Sequence, residues 1–96
     1  MLMNESLMLV KTATIKNKLG IHARPASLFV KTASKFKSSI FVSKDGFEVN
    51  GKSIMGVLTL EGSCGSVITL RINGDDEKEA MDALVDLVEV RLFDEE

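Results

Sequence analysis

Ser39-Ile40-Phe41-Val42-Ser43-Lys44-Asp45-Gly46-Phe47-Glu48-Val49 is the stretch whose reading decides the fold class. Asp-Gly between two runs of strand-forming residues is a two-residue hairpin signal, because both central positions of such a turn need positive φ. Residues 39–43 and 47–49 are therefore expected to be antiparallel neighbours. Upstream, Leu9 to Ile15 reads as a strand, with Ala13 and Ile15 on one face and Thr12 and Thr14 on the other. A loop from Asn17 to Gly20 leads to a helix over Ala23 to Phe36, whose buried stripe is Ala26, Phe29, Val30 and Ala33. Pro25 falls in its first turn, where a missing N–H costs little. Downstream, Ser53 to Leu60 reads as a short helix with Ser53 as N-cap. Glu61 to Ser66 is a loop, and Val67 to Asn73 is a strand with Ile68, Leu70 and Ile72 inward. The last element is a helix over Glu77 to Leu92, where Ala80, Leu84, Leu87, Val88 and Arg91 trace one line. Asp76 followed by Glu79 resembles a capping box. The order β-α-β-β-α-β-α predicts an α+β layer, with helices on one face of an antiparallel sheet.

The 96 residues suffice for one domain, assigned to residues 9–96, with residues 1–8 as a loose tail. A chain 45% hydrophobic and 27% charged is expected to pack a core, and 5% aromatic content means that aliphatic side chains, Met and Phe must build it. A formal net charge of -2 gives no footprint for general nucleic-acid binding, and few aromatics are available for stacking on RNA bases. One cysteine, Cys64, excludes an internal disulfide and a cysteine-based zinc cluster. The opening MLMNESLMLV lacks the basic and long apolar parts of a signal peptide, and no apolar run is long enough to span a bilayer, so a cytoplasmic location is expected.

The chain has one histidine, His22, where Gly20-Ile21-His22-Ala23-Arg24-Pro25-Ala26 joins a loop to a helix. The first N–H groups of a helix lack internal partners, and its dipole presents positive charge there. An anion at that position gains hydrogen bonds and up to about 2 kcal/mol of dipole interaction. A phosphoryl group on His22 would be such an anion. Arg24 would add a permanent charge with fork-shaped donors suited to phosphate. Neutral imidazole is a good nucleophile near neutral pH. The same residues also allow His22 to be a mere cap or a surface residue. A metal site lacks partner ligands, and a hydrolase triad lacks a nucleophile elbow.

Gly-Ile-His-Ala-Arg-Pro-Ala at residues 20–26 resembles the active-site motif of the HPr family, the phosphocarriers of the bacterial phosphotransferase system. Asn50-Gly51-Lys52-Ser53-Ile54-Met55-Gly56-Val57 resembles that family's regulatory-serine motif. The resemblance runs from about Leu9 to Phe93. It implies an open-faced β-sandwich, a four-stranded antiparallel sheet covered by three helices. It also implies that His22 accepts phosphate on Nδ1 from enzyme I, charged by phosphoenolpyruvate, and passes it to an enzyme II A domain while Arg24 helps hold it. Asn17-Lys18-Leu19-Gly20 and Phe93-Asp94-Glu95-Glu96 resemble the nitrogen-related branch, often called NPr, which regulates by phosphorylation state; sugar-transport members more often carry a small polar residue in place of Leu19.

Ser53 reads as a cap and also as a target of an HPr kinase/phosphorylase, where phosphate would be tolerated at a helix start and would act on docking. Ile54 and Met55 beside it are candidates for a partner-binding surface, with ordinary core as the competing role for one of them. Lys31, Lys35 and Lys37 fit a solvated helix face or the steering of acidic partners, and Cys64 has no basic activator nearby in sequence. No nucleotide motif is present and no cofactor or metal is expected, so the expected role is a carrier and not a self-sufficient enzyme. The competing function is a regulatory protein-binding module in a nitrogen-type relay or catabolite control; a purely structural α+β domain leaves the His-Ala-Arg-Pro block unexplained. Transient contacts with several partners favour a monomer.

Overall fold

The computed structural model describes residues 8–94. The expected tail over residues 1–8 therefore lies outside the described residues, apart from Met8. Strands β1 (Leu9–Thr14), β2 (Ser39–Lys44), β3 (Phe47–Asn50) and β4 (Val67–Asn73) form one antiparallel sheet in the order β1-β4-β2-β3. Asp45 and Gly46 join β2 to β3 with φ of 52° and 82°, as the Asp-Gly signal requires. Pairing Ala13 with Ile68 and Val42 with Leu70 places alternate apolar residues on one face. Ala13, Ile15, Ile40, Val42, Ile68, Leu70 and Ile72 are all buried. The opposite face carries the exposed Val10 and Val67, and an Arg71 guanidinium that lies 4.6 Å from the Phe41 ring centroid and pairs with Glu48 at 2.7 Å.

Helices α1 (Ala23–Ala33), α2 (Ile54–Thr59) and α3 (Glu77–Val85) cover the apolar face. This is the expected four-stranded antiparallel sheet with three helices, in the order β-α-β-β-α-β-α. No helix among the described residues is long and apolar enough to cross a membrane.

Several local expectations are corrected. Helix α1 ends at Ala33, not Phe36, because Lys35 and Phe36 donate to Thr32 and Ala33 three residues back and tighten the chain into turns. Its buried face is Pro25, Ala26, Phe29, Thr32 and Ala33, while Val30 is only half-buried. Strand β1 stops at Thr14, although Ile15 still points inward and donates to the Ser66 carbonyl at 2.8 Å. The last helix does not run evenly to Leu92. It widens into a π-helical turn over Asp86–Val90, closed by Arg91 N–H to Asp86 carbonyl at 2.8 Å, and ends in a 3₁₀ turn over Leu92–Asp94. Leu87 and Val88 both stay buried through the widened turn, and Phe93 follows them into the core.

The capping box at Asp76 and Glu79 is also absent. The Asp76 side chain makes no cap hydrogen bond, because its carboxylate accepts from Lys37 N–H, Ser38 N–H and Ser38 Oγ across the fold. Glu77 reaches back instead and accepts from Gly74 N–H at 2.9 Å. The Ser38 hydroxyl and the flanking amides hold the Asp76 carboxyl down at about 2, against an ordinary 3.8.

Candidate functional site

Gly20 explains how the chain reaches His22. Its φ is +68°, and a Cβ there would overlap the Gly62 carbonyl oxygen. That close approach lets Ile21 N–H donate to the same carbonyl at 2.7 Å. Asn17, fully buried, closes the loop from the other side: its Nδ2 donates to the Gly20 carbonyl at 2.8 Å, and Gly20 N–H donates back to the Asn17 carbonyl at 3.2 Å. The loop thus enters α1 in a fixed direction.

His22 is the N-cap of α1. Its backbone is extended, with φ -114° and ψ -167°, and its carbonyl accepts the first helical hydrogen bond, from Ala26 N–H at 2.9 Å. Its side chain makes no cap hydrogen bond, and no acidic residue stands in the first turn. The unfilled positive end of an eleven-residue helix therefore lies beside an exposed imidazole. Arg24, also exposed, shares with it an open cleft of about 650 Å³. Lys16, Asn17, Lys18 and Leu19 form one wall, His22, Arg24 and Pro25 a second, and Leu92, Phe93 and Asp94 a third. Three cationic side chains and one carboxylate line it, a balance that favours an anion.

Of the predicted site residues, His22 and Arg24 come together. Ser53, Ile54 and Met55 do not line that cleft; they stand at the start of α2, which packs against α1. Ser53 is the N-cap, its Oγ accepting from Gly56 N–H at 3.0 Å. Ile54 and Met55 are both exposed, at 43% and 70%, so neither takes the core role considered for one of them; Val57 supplies the buried contact of α2. Cys64 is exposed, with Sγ 3.7 Å from the Lys16 carbonyl.

Sequence reading missed Lys16 and the third wall of the cleft. The third wall could not be found from spacing, since it depends on the unusual end of the last helix. Asp94 is paired there with Arg91 through Nη2 at 2.6 Å and Nε at 3.0 Å. The hydrogen-bonded Arg91 guanidinium holds the Asp94 carboxyl below the usual range, and the positive charge of Arg24 adds to the effect.

Comparisons with known proteins agree with this geometry. A family model described as "PTS HPr component phosphorylation site" matches residues 9–90. The phosphocarrier protein HPr of Neisseria meningitidis is 52% identical over 81 residues, which cover 84% of this chain and 91% of that protein. The HPr-like protein Crh of Halalkalibacterium halodurans is 51% identical over 82 residues, covering 85% of this chain and 98% of its own. The crystal structure of HPr-C-His from Thermoanaerobacter tengcongensis superposes with a TM-score of 0.86 at 57% identity, covering 92% of this chain and 98% of that one. On the match of motif, sheet order and nearly the whole length, the chain belongs to the HPr family of phosphocarriers of the phosphotransferase system.

Proposed function

We propose that His22 is the phosphoryl acceptor of this phosphocarrier, charged by enzyme I and discharged to an enzyme II A domain. The observation that carries the reading is the N-terminus of α1: a histidine in the cap position that leaves the helix amides unfilled, with Arg24 in the same cleft. The incoming phosphoryl group would meet those N–H groups and a guanidinium. The ring nitrogen attacks phosphorus, and the N–P bond it forms is labile enough to be handed on. Arg24 steadies the charged state. The chain works as a monomer in the cytoplasm between encounters.

Incubation with phosphoenolpyruvate and enzyme I, followed by mass analysis with and without acid, tests the reading. An acid-labile phosphate on the wild type that is absent from His22→Ala supports it. No labelling by either the sugar-type or the nitrogen-type enzyme I overturns it. Which of the two charges the chain faster also assigns the branch; the resemblance of Asn17-Lys18-Leu19-Gly20 is what supports the nitrogen-related one.

A second role is regulatory. Exposed Ile54 and Met55 flank Ser53 and form an apolar docking edge. A phosphate on Ser53 puts charge at that edge and changes which partner binds. An HPr kinase/phosphorylase that leaves Ser53 unmodified removes this role and leaves the first intact.

A further inference from the structure

Asn17 is fully buried in the wall of the cleft, and only half of its side-chain amide is used. Nδ2 donates to the Gly20 carbonyl at 2.8 Å, whereas Oδ1 is buried with no hydrogen-bond partner among the described residues. A buried acceptor left unpaired is a cost to the fold. Stability alone therefore does not account for an amide at this position. What the amide secures is a direction. Gly20 N–H returns to the Asn17 carbonyl at 3.2 Å, so the two ends of the loop are tied to each other before the chain reaches α1. Ile21, 8% exposed, anchors the next residue, with its N–H on the Gly62 carbonyl at 2.7 Å. His22 follows directly, exposed and with no cap bond from its side chain. With no cap bond to place the ring, the backbone before it must do so.

We propose that Asn17 is a positioning residue for phosphoryl transfer: by holding the Gly20 carbonyl, it sets the approach of the His22 ring to the incoming phosphoryl group. This rests on the reading of His22 as the acceptor. In that step the lone pair of a ring nitrogen forms the N–P bond. The bond from phosphorus to the atom that carried it on enzyme I breaks, and its electron pair stays with that atom. The reacting atoms must be aligned at a separation of about 3–3.5 Å. Gly20 is needed for the close approach to Gly62, but a glycine is also the freest residue in the chain. Only Ile21 stands between it and His22, so a rotation at Gly20 is carried to the ring. The Asn17 amide takes that freedom away. An ionised aspartate has no N–H to give, and an aliphatic side chain would leave the Gly20 carbonyl unpaired. Because Asn17 is fully buried, it touches no partner protein, and its loss acts on the transfer step and not on docking.

Single-turnover transfer from phosphoenolpyruvate-charged enzyme I to the wild type, Asn17→Leu, Asn17→Ser and Gly46→Ala gives a maximal rate and a half-saturating concentration for each. Asn17→Leu removes the donor and the unpaired acceptor together at similar volume. It should lower the maximal rate by about ten- to a hundred-fold while the half-saturating concentration stays at the wild-type value. Asn17→Ser keeps a shorter donor and should recover part of that loss. Gly46→Ala strains a turn remote from the cleft and should keep the wild-type rate, so a melting curve on each variant separates positioning from stability. A wild-type maximal rate in folded Asn17→Leu overturns the proposal, as does a higher half-saturating concentration at an unchanged maximal rate. Where Asn17→Leu does not fold, Asn17→Ser decides by the same two values. If the wild type itself is not charged, the reading of His22 fails and the role of Asn17 falls with it.

Discussion

The N-termini of α1 and α2 start from the same physics and end differently. Each presents unpaired N–H groups and the positive end of a dipole. At α2, Ser53 fills its own vacancy: the hydroxyl accepts from Gly56 N–H, and the helix is complete without a ligand. At α1, His22 holds the cap position with the extended backbone a cap needs, yet its side chain caps nothing. Around α2 the neighbours are apolar and exposed; around α1 they are cationic and form a cleft. One helix start is capped by its own side chain, and the other is not. The difference lies in a single side chain and in what the rest of the fold brings up to it.

The largest effect that breaks the comparison is functional. His22→Ala should abolish acid-labile phosphorylation while the thermal midpoint barely moves, because an exposed side chain without a cap bond holds little of the fold together; labelling and a melting curve on the same preparation check both. Next in size is Gly20→Ala, which combines a positive φ with overlap on the Gly62 carbonyl and should destabilise by about 2–3 kcal/mol in urea unfolding. Gly46→Ala also has a positive φ but nothing within 4 Å, and should lose only about 1 kcal/mol. Equal losses would show that the close approach at Gly20 carries no weight.

Ser53→Ala should remove about 1 kcal/mol by the same assay, and Ser53→Asp should hold within a few tenths because the carboxylate can take over the bond to Gly56. The reciprocal change sharpens the contrast: His22→Ser should raise stability by about 0.5–1 kcal/mol while eliminating phosphohistidine. A His22→Ser variant no more stable than wild type would mean that the α1 start has no cap vacancy to fill.

The smallest effect appears only in acid. The Asp76 carboxyl is lowered in the folded state, so its contribution is fully present above the ordinary carboxylate value near 3.8 and is lost as pH falls through about 2. Asp76→Asn should flatten that part of the stability–pH curve and leave the slope at neutral pH unchanged. The Asp76 link ties the start of α3 to the Lys37-Ser38 backbone, so it also reports whether a third helix start, with its carboxylate drawn elsewhere, depends on distant partners.

The parts of the fold readable from the chain are those decided by neighbours within about four positions. Asp45-Gly46 gave its hairpin, Ser53 its cap, and alternation at Ile68, Leu70 and Ile72 its buried face. His22 and Arg24 were legible because a loop glycine, a histidine and a first-turn proline together mark a helix start. Where reading failed, a distant partner outbid a local one. Asp76 looked like a cap and instead bonds residues 38 and 39 positions away in sequence. The last helix looked continuous, yet its end widens and turns as Phe93 enters the core.

The sequence alone thus determined the element order, the antiparallel hairpin and a histidine at the mouth of a helix, since backbone propensity and side-chain period act over one or two turns. Tertiary structure decided that Gly20 must meet Gly62, that Ile54 and Met55 both face solvent, and that Leu92–Asp94 closes the cleft around His22. Those outcomes come from segments that meet only when the sheet and helices pack. Pattern within a segment carries no record of which distant segments will line one cleft.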